Sequence, residues 1–384
     1  MILIDATPLQ SEHRLRGVGA YVRYLVRHLE AKGHRPFYLA SRVGLEHVQE
    51  LLPPERTLYV YRPHTPAQVY WAYNELALRW AILRLRPRVL FCPDFNGLVG
   101  NPFGESVPML HDLIPLKVRE EGEGLGVRLS RLRWQVYFAR VRRARYIIAR
   151  SEIVKKDAVE LLGIAPERIT VIAQGLDRQR FVESTGQGPY AQEPPYFLHV
   201  GGSGANKNVR RVLEAFAELA PTHPETRLYL VGPWAPADKA WLEAEKARLG
   251  LSQRVRHLGF IPDADLPSLY GNATAVVFPS LEEGYGLPVL EGMASGAPVI
   301  TSKASSLPEV AGDAALLVNP LEVESIAAAM RRILDEPGLA QMLRQRGRVQ
   351  AGQFSWEALA EGVWETLNRI ADEHPSPPST AVRP

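Results

Sequence analysis

Residues 279–300 read PSLEEGYGLPVLEGMASGAPVI, and the order of residue types in this stretch indicates the class of fold. The stretch follows the apolar run Ala275–Phe278, passes through a glycine-rich turn and opens a helical pattern with Pro288 near its first position. A buried strand, a tight turn and a helix in that order are typical of an α/β fold. Because the first N–H groups of a helix lack intrahelical partners, the turn also predicts a place that suits phosphate or sugar oxygens.

The alternation of strands and helices continues through the second half of the chain. Short apolar runs predict buried strands, and segments with helical periodicity predict helices. The strands are expected at Tyr196–Val200, Arg227–Val231, Val255–Leu258, Ala275–Phe278, Val299–Thr301 and Ala315–Val318. The helices are expected at Val209–Leu219, Asp238–Leu249, Asp265–Tyr270, Pro288–Ala294, Val323–Leu334 and Trp356–Ile370.

The first half shows the same alternation, which implies a parallel sheet with right-handed crossovers. Its strands are expected at Ile2–Asp5, Phe37–Ala40, Leu58–Tyr61, Val89–Pro93, Val107–Leu110, Tyr146–Ala149 and Ile169–Ile172. Its helices are expected at Ala20–Lys32, Ala67–Leu85, Val127–Arg143 and Ile153–Leu162.

Two doubly wound sheets imply two domains, and 384 residues suffice for two domains of ordinary size. Residues 183–195 lack periodicity and are rich in Gly, Pro and polar residues, which predicts a linker. The expected domains are residues 1–182 and 196–354, followed by a helix at 355–372 and a disordered tail at 373–384. Ligands of such folds bind at the carboxyl ends of the strands, here in a cleft between two sheets.

Composition excludes several classes of protein. Apolar residues make up 46% and charged residues 23%, as in globular proteins, and no apolar run approaches the roughly 18 residues of a membrane span. The first nine residues lack the pattern of a signal peptide, and the one cysteine, Cys92, gives neither an internal disulfide nor a metal cluster. A cytoplasmic location is the expectation.

Charge is distributed unevenly along the chain. Residues 1–182 hold 28 Lys and Arg against 18 Asp and Glu, whereas residues 183–384 hold 17 against 24. The first half is therefore expected to meet an anionic partner. Within Arg128–Arg145, seven arginines alternate with apolar and aromatic residues, which fits either peripheral membrane contact or a core-packed helix with a solvated face. No nucleic-acid-binding module is recognised, so nucleic acid is not expected as a partner.

Glu283 and Glu291 are the carboxylates that stand out in the opening stretch, eight residues apart. A carboxylate accepts two hydrogen bonds from vicinal hydroxyls, so one glutamate could hold a sugar and the other a ribose. By spacing alone, two solvated helix residues are the commoner explanation. The glycine-rich context around residues 284–287 favours binding.

The opening stretch closely resembles the E-x7-E signature of the retaining GT-B glycosyltransferases of family four, also called glycosyl transferases group 1, and the chain resembles bacterial mannosyltransferases among them. Several further motifs follow in the family's order, and together they are more specific than any one alone. They are residues 17–22, 111–115, 175–177, 200–202, 207–208, 306–310 and 354–357. The resemblance implies an acceptor-binding Rossmann-like domain at 1–182, a nucleotide-sugar-binding one at 196–354, and a C-terminal helix that returns to the first domain.

The resemblance also implies where the donor diphosphate binds. Lys207 would stabilise the charge that grows on the departing diphosphate, beside the amides of a helix start. Asn206 stands where relatives commonly carry arginine, so it supplies hydrogen bonds without charge. Gly17 and Gly19 precede the first predicted helix and would let backbone amides approach a phosphate, although a plain loop pair of glycines fits equally well.

The remaining positions follow from the same resemblance. His111 and Glu283 would act in catalysis at the donor sugar, with His111 as a hydrogen-bonding or electrostatic group and not a base. Glu291 would hold the ribose. Backbone groups would hold the donor sugar at Gly284, Tyr285, Gly286 and Leu287. Backbone groups near Phe260 and Ile261 would hold the base. Packing of Phe260 in the core is the alternative explanation for a phenylalanine at this position.

No metal or other cofactor is expected. Asp263-Ala264-Asp265 matches the Asp-x-Asp motif of metal-dependent glycosyltransferases, but it opens a predicted helix, where acidic residues cap free N–H groups. The expected activity is metal-independent transfer of a hexose, with mannose as one candidate, from a GDP- or UDP-linked sugar to a glycan or polyprenyl-linked acceptor. The alternatives are a GT-B nucleotide-sugar epimerase and a non-catalytic nucleotide-sugar-binding protein.

Overall fold

The computed structural model describes residues 1–10, 17–60, 67–94, 97–117 and 124–373, without the side chains of 67–72 and 125. The chain forms two compact units. Unit 1 comprises Met1–Gly175 together with the segment from Trp356 onward, and unit 2 comprises Leu176–Ser355. Of the tail expected at 373–384, residues 374–384 lie outside the described part, and Glu373 ends the last helix.

Unit 1 is built, within the described residues, on a seven-stranded parallel sheet of order β3-β2-β1-β4-β5-β6-β7. The strands are β1 Ile2–Asp5, β2 Phe37–Ser41, β3 Thr57–Val60, β4 Val89–Cys92, β5 Glu105–Leu110, β6 Ile147–Ala149 and β7 Ile169–Val171. The helices are α1 Gly17–Ala31, α2 Ala67–Leu85, α3 Ile114–Lys117, α4 Leu125–Arg143, α5 Glu152–Leu162 and the C-terminal α13 Trp356–Glu373.

Helices cover both faces of this sheet. On one face α1 packs with α13, and Trp356 at the start of α13 stacks on Tyr24 with ring centroids 4.6 Å apart. On the other face α2, α4 and α5 share one apolar core, which includes Leu78, Phe138 and Ala158. The C-terminal helix is thus part of unit 1, although it follows unit 2 in the chain.

Unit 2, all of whose residues are described, holds a six-stranded parallel sheet of order β10-β9-β8-β11-β12-β13. The strands are β8 Tyr196–Val200, β9 Arg227–Val231, β10 Val255–Gly259, β11 Ala275–Phe278, β12 Val299–Ser302 and β13 Leu316–Val318. The helices are α6 Val209–Leu219, α7 Pro236–Arg248, α8 Leu266–Gly271, α9 Leu287–Ala294, α10 Leu307–Ala311, α11 Val323–Asp335 and α12 Leu339–Ala351. The predicted class, α/β with two doubly wound Rossmann-like domains, is confirmed.

The linker predicted at 183–195 is wrong, because this segment is packed on unit 2. The Ser184 amide donates to the Ser295 carbonyl at 3.1 Å, and the Thr185 hydroxyl donates to the Gly271 carbonyl at 3.2 Å. Glu193 accepts a hydrogen bond from Tyr229, 2.5 Å away. The boundary between the units lies instead between Gly175 and Leu176. These contacts join positions far apart in sequence, so local composition could not reveal them.

No helix among the described residues is long and apolar enough to cross a membrane.

Candidate active site

The strand order of unit 2 reverses beside β8, because β9 lies on one side of it and β11 on the other. The loops that leave the carboxyl ends of β8 and β11 therefore diverge and leave an opening between them, which is where doubly wound sheets bind ligands. One loop carries residues 201–208 and the other carries residues 279–286. The two segments in which the sequence predicts donor binding thus meet at a single point of the sheet.

Lys207 and Glu283 form an ion pair at this point. The Lys207 ammonium lies 2.5 Å from Glu283 Oε1 and 5.1 Å from the centroid of the Phe278 ring. Both side chains are largely buried. Gly201 lies against the lysine stem, since a Cβ built there would lie 3.4 Å from Lys207 Cδ. The structure therefore brings together a cation and a carboxylate that the sequence assigns to two neighbouring parts of one ligand.

Two asparagines fix the geometry of these loops. The Asn206 side-chain amide donates to the Glu282 carbonyl at 3.1 Å, and the Asn206 backbone carbonyl accepts from the Leu281 backbone amide at 2.7 Å. Asn208 is buried in the left-handed conformation, with φ of 61°, and its amide donates to the carbonyls of Pro279 and Pro320. Asn206 thus braces the second loop, and its predicted contact with the diphosphate stays a prediction.

The second loop turns into α9 at a position that requires glycine. Gly286 has φ of 115°, and a Cβ built there would lie 2.5 Å from Leu307 Cδ2. The Ser306 hydroxyl lies 3.0 Å from the Glu283 carbonyl and 2.7 Å from the Tyr285 carbonyl, both of which it can reach as a donor. The Tyr285 ring is buried in the core of unit 2, so Tyr285 itself could make the predicted contact with a sugar only through its backbone.

Glu291 lies one turn into α9 and accepts a hydrogen bond from the buried Tyr270 hydroxyl at 2.7 Å. Burial raises the pKa of Glu291, and Asp263 adds to the increase, whereas the Tyr270 hydrogen bond and Arg180 oppose it. Arg180 in turn pairs with Asp263 at 2.9 Å. The carboxylate is therefore held in place by a phenol and lies near an arginine that the sequence analysis did not single out.

The segment predicted to contact the base follows β10, where the register shifts between His257 and Gly259. The Phe260 side chain is 64% exposed, so the alternative that it packs in the core is wrong. Ile261 is 7% exposed and belongs to the core of unit 2. Base contacts at these two positions stay a prediction.

His111 follows β5 in unit 1, where its ring meets the edge of Tyr21 with centroids 5.4 Å apart. Its Nε2 lies 2.8 Å from the Pro93 carbonyl, which requires that Nε2 carry the proton. Burial, together with the nearby charge of Arg150, lowers the pKa of His111 to about 3. The ring is therefore neutral at physiological pH. Of the two roles predicted for His111, hydrogen bonding is compatible with a neutral ring and electrostatic support by a positive charge is not.

Gly17 and Gly19 were expected before the first helix, but they form its first turn, because α1 begins at Gly17 with φ of 55°. Tyr21, one turn further along α1, contacts His111. The start of α1 and His111 are thus neighbours in unit 1. Phosphate contacts of the two glycines stay a prediction.

The Asp-x-Asp motif lies just before α8, and neither aspartate caps that helix through its side chain. Asp265 is the residue before α8, but its side chain makes no capping hydrogen bond, and Asp263 pairs with Arg180. The capping explanation is therefore wrong. Across the described residues, no group of three or more His, Cys, Asp or Glu side chains is arranged to hold a metal ion.

Three residues of the site were not predicted from the sequence, namely Arg180, Tyr270 and Ser305. The Glu283 amide donates to the Ser305 hydroxyl at 3.0 Å. Ser305 has φ of 57°, which is uncommon for a residue with a side chain. Its position directly before the motif at 306–310 was the one available signal in the sequence.

Two family models match the chain, one for each half. The model for Glycosyltransferase Family 4 matches residues 15–180, and the model for Glycosyl transferases group 1 matches residues 183–350. O-antigen chain mannosyltransferase B of Escherichia coli is 34% identical over 225 residues, which are 56% of this chain and 58% of that protein. The chain spans about half the length of the curated relatives it matches.

Two solved structures show the same fold. Sucrose-phosphate synthase from Thermosynechococcus elongatus has a TM-score of 0.77 and 21% identity, and the alignment covers 97% of this chain and 99% of that one. Anabaena Alr3699/HepE, crystallised with UDP-glucose, has a TM-score of 0.72 and 20% identity, with 96% and 99% covered. These likenesses define the class of protein as one with the GT-B fold.

The two family models, which match residues 15–180 and 183–350, add the family to this class. The chain belongs to the GT-B glycosyltransferases of family 4, and it resembles bacterial mannosyltransferases.

Proposed function

We propose that the chain is a retaining hexosyltransferase. It moves a hexose, with mannose as the first candidate, from a nucleotide diphosphate sugar to a glycan or lipid-linked acceptor, and it needs no metal ion. The observation that carries the proposal is the Lys207–Glu283 pair at the reversal point of the unit 2 sheet, where the backbone turns into α9. Such a point in a doubly wound sheet suits a nucleotide diphosphate.

Lys207 supplies the positive charge for the diphosphate. Its ammonium is paired with Glu283, so a phosphate oxygen would compete with the carboxylate for the same cation. Once the diphosphate takes Lys207, Glu283 is released to accept hydrogen bonds from the hydroxyls of the donor sugar. Donor binding thereby converts an internal ion pair into two contacts with the ligand.

Transfer with retention by front-face attack needs orientation and charge stabilisation but no protein nucleophile. The acceptor hydroxyl attacks from the side of the departing phosphate and passes its proton to that phosphate, while the sugar passes through an oxocarbenium-like state. Lys207 stabilises the charge that develops on the leaving diphosphate, a role for which a metal ion is then not required. Because His111 donates through Nε2 to Pro93, its Nδ1 is left to accept a hydrogen bond from a sugar hydroxyl.

The choice of donor rests on the relatives. HepE was crystallised with UDP-glucose, and the E. coli relative is named a mannosyltransferase. Both GDP-mannose and UDP-hexoses are therefore candidate donors for this chain. Glu291 would contact the ribose, which both donor classes share, and the backbone near Phe260 and Ile261 would contact the base, which differs between them.

The acceptor is proposed to be a growing surface glycan or a polyprenyl-linked saccharide, because the E. coli relative is named for the O-antigen chain. Reaction at the cytoplasmic face of the inner membrane, with the Arg128–Arg145 segment against anionic lipid, would bring the enzyme to such an acceptor.

A transfer assay tests the proposal. The chain is incubated with GDP-mannose, UDP-glucose or UDP-galactose and a membrane extract or glycan acceptor, with and without EDTA. We expect turnover of one donor class, equal rates with EDTA, and an NMR coupling in the product that shows the donor's anomeric configuration. Strict dependence on a divalent ion, an inverted anomer, or a new nucleotide sugar formed without acceptor would overturn it.

A further inference from the structure

Helix α2 of unit 1 exposes a row of large apolar side chains. Leu76 and Leu83 are 65% and 63% exposed, and Tyr73 and Trp80 are exposed as well. The spacing of these residues, three, four and three positions, places them on one face of the helix. The Arg84 guanidinium lies over the Trp80 ring, 5.9 Å from its centroid. A continuous apolar row of this kind on a helix surface marks an interaction site.

Helix α4 lies beside α2 and supplies positive charge. Its sequence from Leu125 to Arg143 holds six arginines and no acidic residue. Glu75 of α2 accepts two hydrogen bonds from Arg140 of α4, at 2.9 and 3.0 Å, and the two helices share one apolar core against the sheet. Their outer faces therefore lie on the same side of unit 1.

The outer face of α4 is itself both basic and apolar. Leu129 and Leu132 are exposed, and so are Arg128, Arg131, Arg142 and Arg143. Tyr137, Phe138 and Val141 are buried in the core, as expected for a core-packed helix, whereas the membrane contact stays a prediction. A face of α4 that only contacted solvent would not account for the exposed Leu129 and Leu132.

We infer that α2 and α4 together form a membrane-docking surface for anionic lipid, called here the α2–α4 face. Arginine side chains reach the lipid phosphates, Trp80 and Tyr73 lie at the level of the headgroups, and Leu76 and Leu83 enter the boundary of the acyl chains. The arginines of α4 favour an anionic partner. The exposed leucines of α2 and α4 favour a partner with an apolar layer beneath its charged surface. A bilayer offers both, whereas nucleic acid offers no such layer.

Vesicle flotation of the full chain tests the inference in the absence of donor and acceptor, so its outcome is separate from that of the transfer assay. Vesicles consist of phosphatidylcholine alone or with one-third phosphatidylglycerol, at low and high salt. We expect binding only with phosphatidylglycerol, and weaker binding at high salt. The double variant Leu76→Ser with Leu83→Ser should bind about tenfold more weakly or worse, because the apolar contribution is lost.

The matched control is Met342→Ser with Val349→Ser, two exposed apolar residues seven positions apart on α12 of unit 2. It should bind vesicles like the original chain. Arg128→Gln with Arg142→Gln should weaken binding by about fivefold per arginine, whereas Arg332→Gln with Arg346→Gln, which removes the same charge from unit 2, should not. Donor turnover with a water-soluble acceptor should be the same in all four variants.

Three results would overturn the inference. The first is equal binding to neutral and anionic vesicles, or binding to neither. The second is an equal loss of binding in the α12 control. The third is unchanged vesicle binding with an altered oligomeric state in the Leu76 and Leu83 variant, which would assign the α2–α4 face to a second copy of the chain.

Discussion

The sheets of unit 1 and unit 2 reverse their strand order in the same way, beside β1 and beside β8. In unit 1 the acidic residue at that point, Asp5, is fully buried and accepts hydrogen bonds from the amide and hydroxyl of Thr7. In unit 2 the acidic residue, Glu283, is paired with Lys207 and is partly accessible. The shared topology provides two comparable positions: unit 2 places the Lys207–Glu283 ion pair at its position, whereas the described residues of unit 1 place a buried aspartate there.

His111 of unit 1 and Lys207 of unit 2 also differ in charge. His111 is neutral because burial and Arg150 lower its pKa to about 3, and it binds the Pro93 carbonyl. Lys207, in contrast, forms an ion pair with the Glu283 carboxylate. Unit 2 is thus suited to bind and stabilise an anionic leaving group, and unit 1 to contribute neutral hydrogen bonds at its own strand ends.

The largest effect in this comparison is expected from Lys207. Lys207→Gln should lower kcat/KM by about a thousandfold, because the charge on the leaving diphosphate loses its cation. The control Lys239→Gln removes an exposed lysine on α7 of the same unit and should retain full activity. Steady-state kinetics with the active donor measure both. A loss of less than about tenfold for Lys207→Gln would show that the charge is supplied elsewhere.

The next effect concerns the backbone that starts α9. Gly286→Ala places a Cβ 2.5 Å from Leu307 at a φ of 115°, so we expect the free energy of unfolding to fall by about 2–4 kcal/mol. Gly250→Ala is the control, since Gly250 has φ of 70° but nothing within 4 Å of the added Cβ. It should cost about 1 kcal/mol. Denaturant unfolding compares the two variants, and equal losses would mean that the Leu307 contact is unimportant.

Glu291 should affect donor affinity more modestly. Glu291→Gln should weaken binding of the free nucleotide diphosphate by about 10- to 100-fold, the range for a lost charged hydrogen bond. Because the pKa of Glu291 is raised, the affinity of the original chain should fall with decreasing pH sooner than for an ordinary glutamate, and the variant should not show this fall. Titration calorimetry at several pH values measures both effects.

The same raised pKa has a consequence for stability. An ionised Glu291 is less favourable in the folded chain than in the unfolded one, so Glu291→Gln should raise the Tm at neutral pH. The gain should disappear as the pH falls below the ordinary glutamate pKa of about 4.3. A Tm that drops at neutral pH would show that Tyr270 stabilises the carboxylate more than burial destabilises it.

The smallest effect is expected from the protonation of His111. With a pKa of about 3, His111 should add no inflection to the activity profile between about pH 5 and 8. His111→Gln should therefore lower the rate without changing the shape of that profile. An inflection near pH 6.5 that vanishes in His111→Gln would show that the ring is protonated during turnover, and the contrast with Lys207 would be lost.

Much of the fold was predictable because it depends on local periodicity. Strands β8, β9 and β11 and helices α2 and α6 begin and end where the apolar pattern predicts. Helix α12 was missed because its arginines and glutamines interrupt the apolar pattern that a local reading requires. The segment at 183–195 looked like a linker because its hydrogen bonds reach Gly271 and Ser295, far away in sequence.

The same distinction between local patterns and contacts of distant segments applies to the residues of the candidate site. Lys207, Glu283 and Glu291 were found because they lie in motifs with a glycine-rich context. The Asn206 contact with Glu282, the Tyr270 contact with Glu291 and the Arg180 pair with Asp263 join separate elements, so a sequence without its fold could not predict them. The exposure of Phe260 is likewise a property of how β10 ends, not of its residue type.

A crystal structure of the full chain with GDP-mannose or UDP-glucose, grown in EDTA, is the most direct test of the central claim. We predict that a phosphate oxygen contacts Lys207 in place of Glu283, that Glu283 faces a sugar hydroxyl, and that the ribose contacts Glu291. A diphosphate bound away from the ends of β8 and β11, or a Lys207–Glu283 ion pair that stays intact beside a bound donor, would contradict the proposed donor site.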